Sequence, residues 1–108
     1  MELNNVMGIE ELRSKVNSNL EDRDNYYKMI VNSSVISKFT GREGKITDID
    51  KKNVYVNYEC WASIPTSLEK YKDVLDVEDY INENINKYVE TFNIERKLNR
   101  LAKKLANQ

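Results

Sequence analysis

The 108-residue chain contains no histidine and only one cysteine, Cys60. Histidine is the commonest general base and the commonest neutral metal ligand, so its absence removes most acid–base mechanisms and most zinc sites. An enzyme of this composition would depend on carboxylates alone, and the acidic residues fall at helix and turn spacings that a solvated surface explains. We therefore predict a protein that is not an enzyme and that binds no metal or cofactor.

Long apolar runs are also missing. No stretch approaches the roughly eighteen apolar residues of a transmembrane helix, and no basic segment followed by an apolar block indicates a signal peptide. A lone cysteine forms no internal disulfide and suits a reducing compartment. These features predict a cytoplasmic protein without membrane association. The length predicts a single domain, residues 1–108, with a core that needs neither disulfide nor metal.

The only segment dense in β signals is residues 35–75. Its first part, residues 35–65, is the predicted β-barrel and holds the single proline and two of the three glycines. Val54, Val56 and Tyr58 occupy alternate positions, and this two-residue period is that of a strand. Polar turn residues precede them, so the segment predicts a hairpin with a strand at 45–49.

Two further short strands complete the predicted sheet. Val35–Phe39 is the expected first strand, and Trp61–Ile64 the expected last one, ended by Pro65. The three-residue spacing of Ile46 and Ile49 indicates a bulge or strong coiling of the strand rather than clean alternation. Four to five short antiparallel strands favour a closed barrel, because closure removes exposed edges. The predicted fold class is therefore α+β, an SH3-like barrel flanked by a long N-terminal helix and C-terminal helices.

The same segment resembles a family. The runs KFTGREGKITDID, VYVNY and PTSLEKY are similar to those of a Tudor-like module that bacteria carry as an appendage of DNA-repair helicases. The matching positions are Phe39, Gly44, Ile46, Ile49, Val54, Val56, Tyr58, Pro65, Leu68 and Tyr71. The chain has Arg42 where the family has glycine. The resemblance implies a barrel that interacts with proteins or nucleic acids, with no catalytic residues.

An amphipathic stripe predicts the N-terminal helix over residues 9–31. Its apolar members are spaced by three, four or seven: Ile9, Leu12, Val16, Leu20, Tyr27 and Ile30. Arg23 stands where this stripe calls for another apolar residue. The helix is too long for a small barrel to cover, so we expect part of it to meet the C-terminal helices or another chain.

After the barrel, a capping box at residues 66–69 predicts a short helix over residues 67–73. Asp76 is then the expected cap of a C-terminal helix over residues 77–107. The stripe of this helix changes phase: Ile94, Leu98, Leu101 and Leu105 are two residues out of step with Ile81, Ile85, Tyr88 and Phe92. Two residues correspond to about 200° of rotation, so we expect either two helices broken near residue 93 or one helix that contacts two partners.

Charge along the C-terminal region is segmented, since residues 76–91 carry a net charge of minus four and residues 92–108 a net charge of plus four. The helix dipole favours such an arrangement by itself. Alternatively, the basic segment binds phosphate or an acidic protein surface. Its candidate binding residues are Arg96, Arg100, Lys103 and Lys104.

Aromatic residues supply the other candidate site. A Tudor-like barrel can hold aromatic side chains at its mouth as a cage for a cation. Phe39 and Tyr58 are expected in the core, which leaves Tyr55 and Trp61 as candidates for exposure. Arg42, in the loop between the first two strands, completes the predicted binding residues.

Three functions fit this sequence. The first is a protein-binding adaptor or inhibitor, encoded by a phage, a mobile element or a bacterium, that covers a surface of a larger nucleic-acid-processing protein. The second is a nucleic-acid-binding regulator that uses the barrel and the basic C-terminal segment, although the overall charge of minus one argues against it. The third is a structural homodimer. Across these three functions, the chain is expected to be a monomer or a homodimer.

Overall fold

In a computed structural model, which describes residues 8–59 and 62–107, the chain is an α+β protein. It starts with helix α1 and continues with four antiparallel strands, β1 to β4. A short helix α2, a two-residue strand β5 and helix α3 follow. The bounds are α1 Ile9–Ile30, β1 Ser34–Ser37, β2 Glu43–Ile49, β3 Asn53–Asn57, β4 Ile64–Ser67, α2 Tyr71–Val74, β5 Leu75–Asp76 and α3 Asp79–Ala106. The predicted α+β class is confirmed.

The five strands form one antiparallel sheet in the order β4-β3-β2-β1-β5, so that the last strand returns to pair with the first. The sheet is open, with β4 and β5 at its edges. The predicted hairpin is present, since Ile49 pairs with Val54 and Ile46 with Val56. The pairing register shifts between Ile46 and Asp48, which confirms the predicted bulge.

One face of the sheet packs on the two long helices to form the core. Its buried residues are Ile30, Val35, Ile46, Ile49, Val54, Val56, Tyr71, Leu75, Ile81, Ile85 and Tyr88. Tyr58, predicted as a core residue, is partly buried against this cluster, and so is Leu68. The prediction for Phe39 was wrong, because β1 ends at Ser37 and the side chain of Phe39, in the following turn, is 78% exposed.

The connections after β3 differ most from the predictions. The last hairpin strand is Ile64–Ser67, so Pro65 lies inside it rather than ending it. The predicted capping box did not form, because the segment 66–67 belongs to β4 and α2 begins only at Tyr71. Asp76 does not cap α3 either; it pairs with Ile36 in β5.

Helix α3 is continuous, so the break near residue 93 is absent. Leu98 and Leu105 lie seven and fourteen residues after Thr91, which is 2% exposed. Seven residues fall only about 20° short of two full turns, so these three residues share one face. The change of phase matches the other predicted alternative, one helix with two neighbours, because Ile81 and Ile85 lie in the core cluster at the sheet, whereas Leu98 is buried outside that cluster.

Helices α1 and α3 run antiparallel beyond the sheet, and residues 9–23 and 91–106 form what we call the helical arm. The molecule measures 57 × 25 × 20 Å. At the base of the arm, the Tyr88 hydroxyl donates to the carbonyl oxygen of Ile49 at 3.1 Å. Farther out, Leu12 and Leu98 are buried outside the core cluster. The arm therefore depends on contacts between its two helices.

Candidate binding cleft

A cleft of about 450 Å³ opens on the core face of the sheet, where β4 faces the turn between β1 and β2. It is lined by Ser37, Phe39, Thr40, Arg42, Tyr58, Glu59, Ile64, Thr66 and Val74. Residues paired across strands point to the same face. Ile64 pairs with Val56, and Thr66 with Val54, so both β4 residues point to the core face. Phe39 and Ile64, which is 50% exposed, leave a large apolar surface at this opening.

The β1–β2 turn holds Phe39 in this exposed position. The hydroxyl of Ser37 accepts hydrogen bonds from the backbone N–H groups of Phe39 and Thr40, both at 3.3 Å. Gly41, with φ +72°, donates its N–H to the Ser37 carbonyl at 2.9 Å. This left-handed conformation favours glycine, which has no Cβ. Phe39 therefore lies in a turn fixed by local hydrogen bonds.

Tyr58 forms the floor of the cleft because β2 contains glycine opposite it. A Cβ atom on Gly44 would lie only 2.8 Å from Cδ1 of Tyr58 and 2.8 Å from Cγ1 of Val56. The absence of a side chain thus allows the phenol ring to pack on the strand. Burial raises the pKa of Tyr58, so the group is neutral in the physiological range.

Glu59 follows Tyr58 with φ +72°, in the left-handed region that a residue with a Cβ rarely adopts. Its N–H donates to the Asn57 side-chain oxygen at 3.0 Å, which supports the turn. The conformation costs on the order of 1 kcal/mol. Such strain is often found at binding sites, and here it lies at the cleft wall.

Strand β4 forms an edge of the sheet, but its backbone is poorly suited to accept another strand. The Leu68 N–H donates to the Lys52 carbonyl at 2.9 Å. By the alternation of an antiparallel ladder, Thr66 then directs its backbone groups toward β3, and Pro65 and Ser67 direct theirs outward. Pro65 has no N–H, and the Ser67 carbonyl already accepts from the Lys70 N–H at 3.0 Å. A partner at the cleft is therefore held by side chains rather than by strand addition.

The structure separates the predicted binding residues. Arg42 lines the cleft. Tyr55 lies on the opposite face of β3, where its hydroxyl donates to Oδ2 of Asp50 at 2.7 Å; this bond raises the pKa of Tyr55 and lowers that of Asp50. Trp61 lies outside the described residues. The structure therefore does not describe the predicted cage of Tyr55 and Trp61. Arg42 lines the cleft together with Phe39, which was predicted to lie in the core.

The predicted basic residues lie far from the cleft, on the arm. With Lys97 they form what we call the basic stripe: Arg96, Lys97, Arg100, Lys103 and Lys104. All five are exposed, and within the described part of the chain none of them forms an ion pair or a side-chain hydrogen bond. The stripe is a second candidate surface.

Across residues 8–59 and 62–107, no group of three His, Cys, Asp or Glu residues is placed to hold a metal ion. No helix in these ranges combines the length and apolar character needed to cross a membrane. Comparisons of the chain with protein families, characterised proteins and solved structures find no match.

Proposed function

We propose that this protein is a non-enzymatic adaptor or inhibitor that acts in the cytoplasm by binding another protein through the cleft around Phe39. The observation that carries the proposal is the exposure of Phe39, 78% of its surface, in a turn fixed by hydrogen bonds. Burying such a side chain in a partner contributes about 1.5–3 kcal/mol. Aromatic anchors of this kind dominate the energy of many protein interfaces.

The neighbours of Phe39 support the same proposal. Ile64 and Tyr58 add apolar surface, and Arg42 adds a charged group at the rim. An apolar centre with a polar rim is the usual arrangement of a protein interface. Because the proline in β4 opposes strand addition, we propose that the partner inserts a side chain or loop between Phe39 and Ile64.

We also propose that the sheet is an open form of an SH3-like barrel. Two observations support this: β5 returns to pair with β1, and residues of β4 line the same cleft as residues of the β1–β2 turn. In this proposal the cleft is the gap between the barrel halves.

The test compares two exposed apolar residues at opposite faces of the same segment. Phe39→Ser removes the cleft anchor, whereas the control Ile36→Ser removes a side chain that is 46% exposed on the other face of β1. Tagged wild type and both variants are used to capture partners from the source cell after nuclease treatment, followed by mass spectrometry. We expect one protein to be retained by wild type and Ile36→Ser and lost with Phe39→Ser. Capture that survives Phe39→Ser, or that both variants abolish equally, would refute the cleft as the binding site.

A further inference from the structure

The basic stripe lies on the side of α3 that points away from α1. Arg100 is two residues from Leu98, which is buried against α1, and two residues correspond to about 200° around the helix. Around the helix, Arg96, Arg100, Lys103 and Lys104 lie about 120–160° from Leu98 and therefore on this outer side, and Lys97, about 100° from Leu98, lies at its edge. Residues 96–107 contain no acidic residue. The outer face of the arm tip is therefore uniformly positive.

The negative charge of the rest of the protein does not cancel this field. Residues 96–107 hold five cations, whereas the acidic body, residues 24–90, holds twelve acidic and nine basic residues, a net charge of minus three, and residues 9–23 of the arm carry a net charge of only minus one. Tyr88 packs at the sheet, and Arg100 lies twelve residues farther along α3, about 18 Å away. The Debye length at physiological salt is about 8 Å, so the stripe is screened from the acidic body. The low overall charge is thus no argument against a polyanionic ligand.

The chemistry of the stripe decides between two classes of partner. Protein interfaces need an apolar or aromatic anchor at their centre and are depleted in lysine. Contacts to phosphate need only long basic side chains. The outer face of α3 from Arg96 to Lys104 offers cations without an aromatic residue. We propose that the basic stripe binds the phosphate backbone of nucleic acid, without reading its sequence.

The dimensions of the stripe set the expected strength of this binding. Residues 96 and 104 are about 12 Å apart along the helix axis, and duplex DNA presents one charge per about 1.7 Å, or about seven charges over that length. At most five phosphates are then neutralised by the five side chains. For duplex DNA this gives a slope of about −4.5 for the logarithm of the binding constant against the logarithm of salt concentration.

The experiment measures fluorescence anisotropy of labelled duplex DNA, duplex RNA and single-stranded DNA with the full chain. Between about 50 and 200 mM salt we expect duplex affinity to fall about 500-fold, the change that a slope of −4.5 gives. The stripe variant replaces four cations with Gln: Arg96, Arg100, Lys103 and Lys104. For this variant the slope should be shallower, about −1. The control replaces four exposed lysines near the sheet, Lys51, Lys52, Lys70 and Lys72, and lowers the net charge equally; it should keep the wild-type slope.

The proposal would be overturned if none of the three nucleic acids binds at about 50 mM salt. It would also be overturned if the stripe variant and the control lose affinity equally. If circular dichroism shows that the stripe variant is unfolded, the single change Arg100→Gln is decisive, since it should reduce the slope by about 0.9. Phe39→Ser should bind DNA as wild type does. Failure of this proposal is therefore separable from failure of the cleft.

Discussion

Arg23→Met should destabilise the protein by about 2 kcal/mol, because Arg23 joins the two helices of the arm. Its Nε donates to the Thr91 hydroxyl oxygen at 3.0 Å, and its Nη2 contacts Oε1 of Glu95 at 3.0 Å. Its guanidinium carbon lies 3.8 Å from the centre of the Phe92 ring. Nearby, Nδ2 of Asn19 donates to the Thr91 carbonyl at 2.9 Å. We call Asn19, Arg23, Thr91 and Glu95 the polar layer of the arm.

The magnitude follows from these contacts. A hydrogen bond from a charged donor is worth about 1.5–3 kcal/mol, and a cation over an aromatic ring about 0.5–2 kcal/mol. The ion pair with Glu95 adds little, because the Glu95 side chain is 37% exposed. Methionine keeps the packing of the aliphatic stem, which offsets part of the loss. A net cost of about 2 kcal/mol corresponds to a fall of roughly 8 °C in melting temperature for a domain of this size.

Urea unfolding of wild type and variants measures this cost. The matched control is Lys28→Met on the same helix, which removes an exposed salt bridge to Asp24 of 2.9 Å and should cost less than about 0.5 kcal/mol. The double variant Arg23→Met with Thr91→Val replaces both partners by apolar groups and should recover about half the loss. A single Arg23→Met that costs no more than the control would show that the polar layer does not stabilise the arm.

Three further predictions concern the sheet. Gly44→Ala should destabilise by about 1–3 kcal/mol in urea unfolding, because its Cβ would overlap the ring of Tyr58; an unchanged stability would contradict the close packing. The pKa of Asp50 is lowered below its ordinary 3.8, chiefly by the Tyr55 hydroxyl, so the stability it provides is present above pH 3.8 and lost as pH falls further. The stability difference between wild type and Asp50→Asn should therefore shrink below pH 3.8, and a constant difference would refute this. The hydrogen bond to Asp48 raises the pKa of Tyr27 above its ordinary 10.0. The stability that this hydrogen bond gives the folded protein is therefore present below pH 10 and lost above it. Tyr27→Phe should be less stable than wild type, by a difference that decreases only in that alkaline range.

The sequence was sufficient to predict the parts of the fold that local periodicity determines. The alternation through Val54 and Val56 and the spacing of Ile46 and Ile49 identified the central hairpin and its bulge. The stripe from Ile9 to Ile30 identified α1 to within one residue. The hairpin follows its pattern closely, since Val54 and Val56 are fully buried, whereas the stripe of α1 is buried only in part: Leu12 and Ile30 are buried, but Ile9 and Leu20 are exposed.

The elements that long-range contacts determine were not predictable in the same way. Strand β5 has only two residues, Leu75 and Asp76, and exists because Ile36 and Ser37 of β1 offer it a partner. The burial of Thr91 in α3 was not predictable for a similar reason. Thr91 is buried although it is polar, because Asn19 and Arg23 of a helix almost 70 residues earlier supply its hydrogen bonds. A helical stripe read from apolar residues alone therefore omits Thr91.

The candidate site shows the same limit. Arg42 and the basic residues of α3 were identified from local charge, but Phe39 was assigned to the core as the last residue of the predicted strand Val35–Phe39. The signal that would have corrected this lies in its neighbours. Ser37 can accept hydrogen bonds from the next N–H groups, and the following Thr40-Gly41 pair is typical of a turn, so the strand ends before Phe39.

The two proposed surfaces lie on different parts of the long axis of the molecule. Val74 lines the cleft and comes five residues before α3 begins at Asp79, whereas the basic stripe starts at Arg96. The seventeen residues from Asp79 to Arg96 span about 25 Å of helix, so the cleft and the stripe do not overlap. This separation also gives the length of the arm a physical role. The two-helix extension adds little to the core, and ordering it costs conformational entropy. The polar layer of Asn19 and Thr91 keeps its helices in register, so that the stripe is presented on a single outer face.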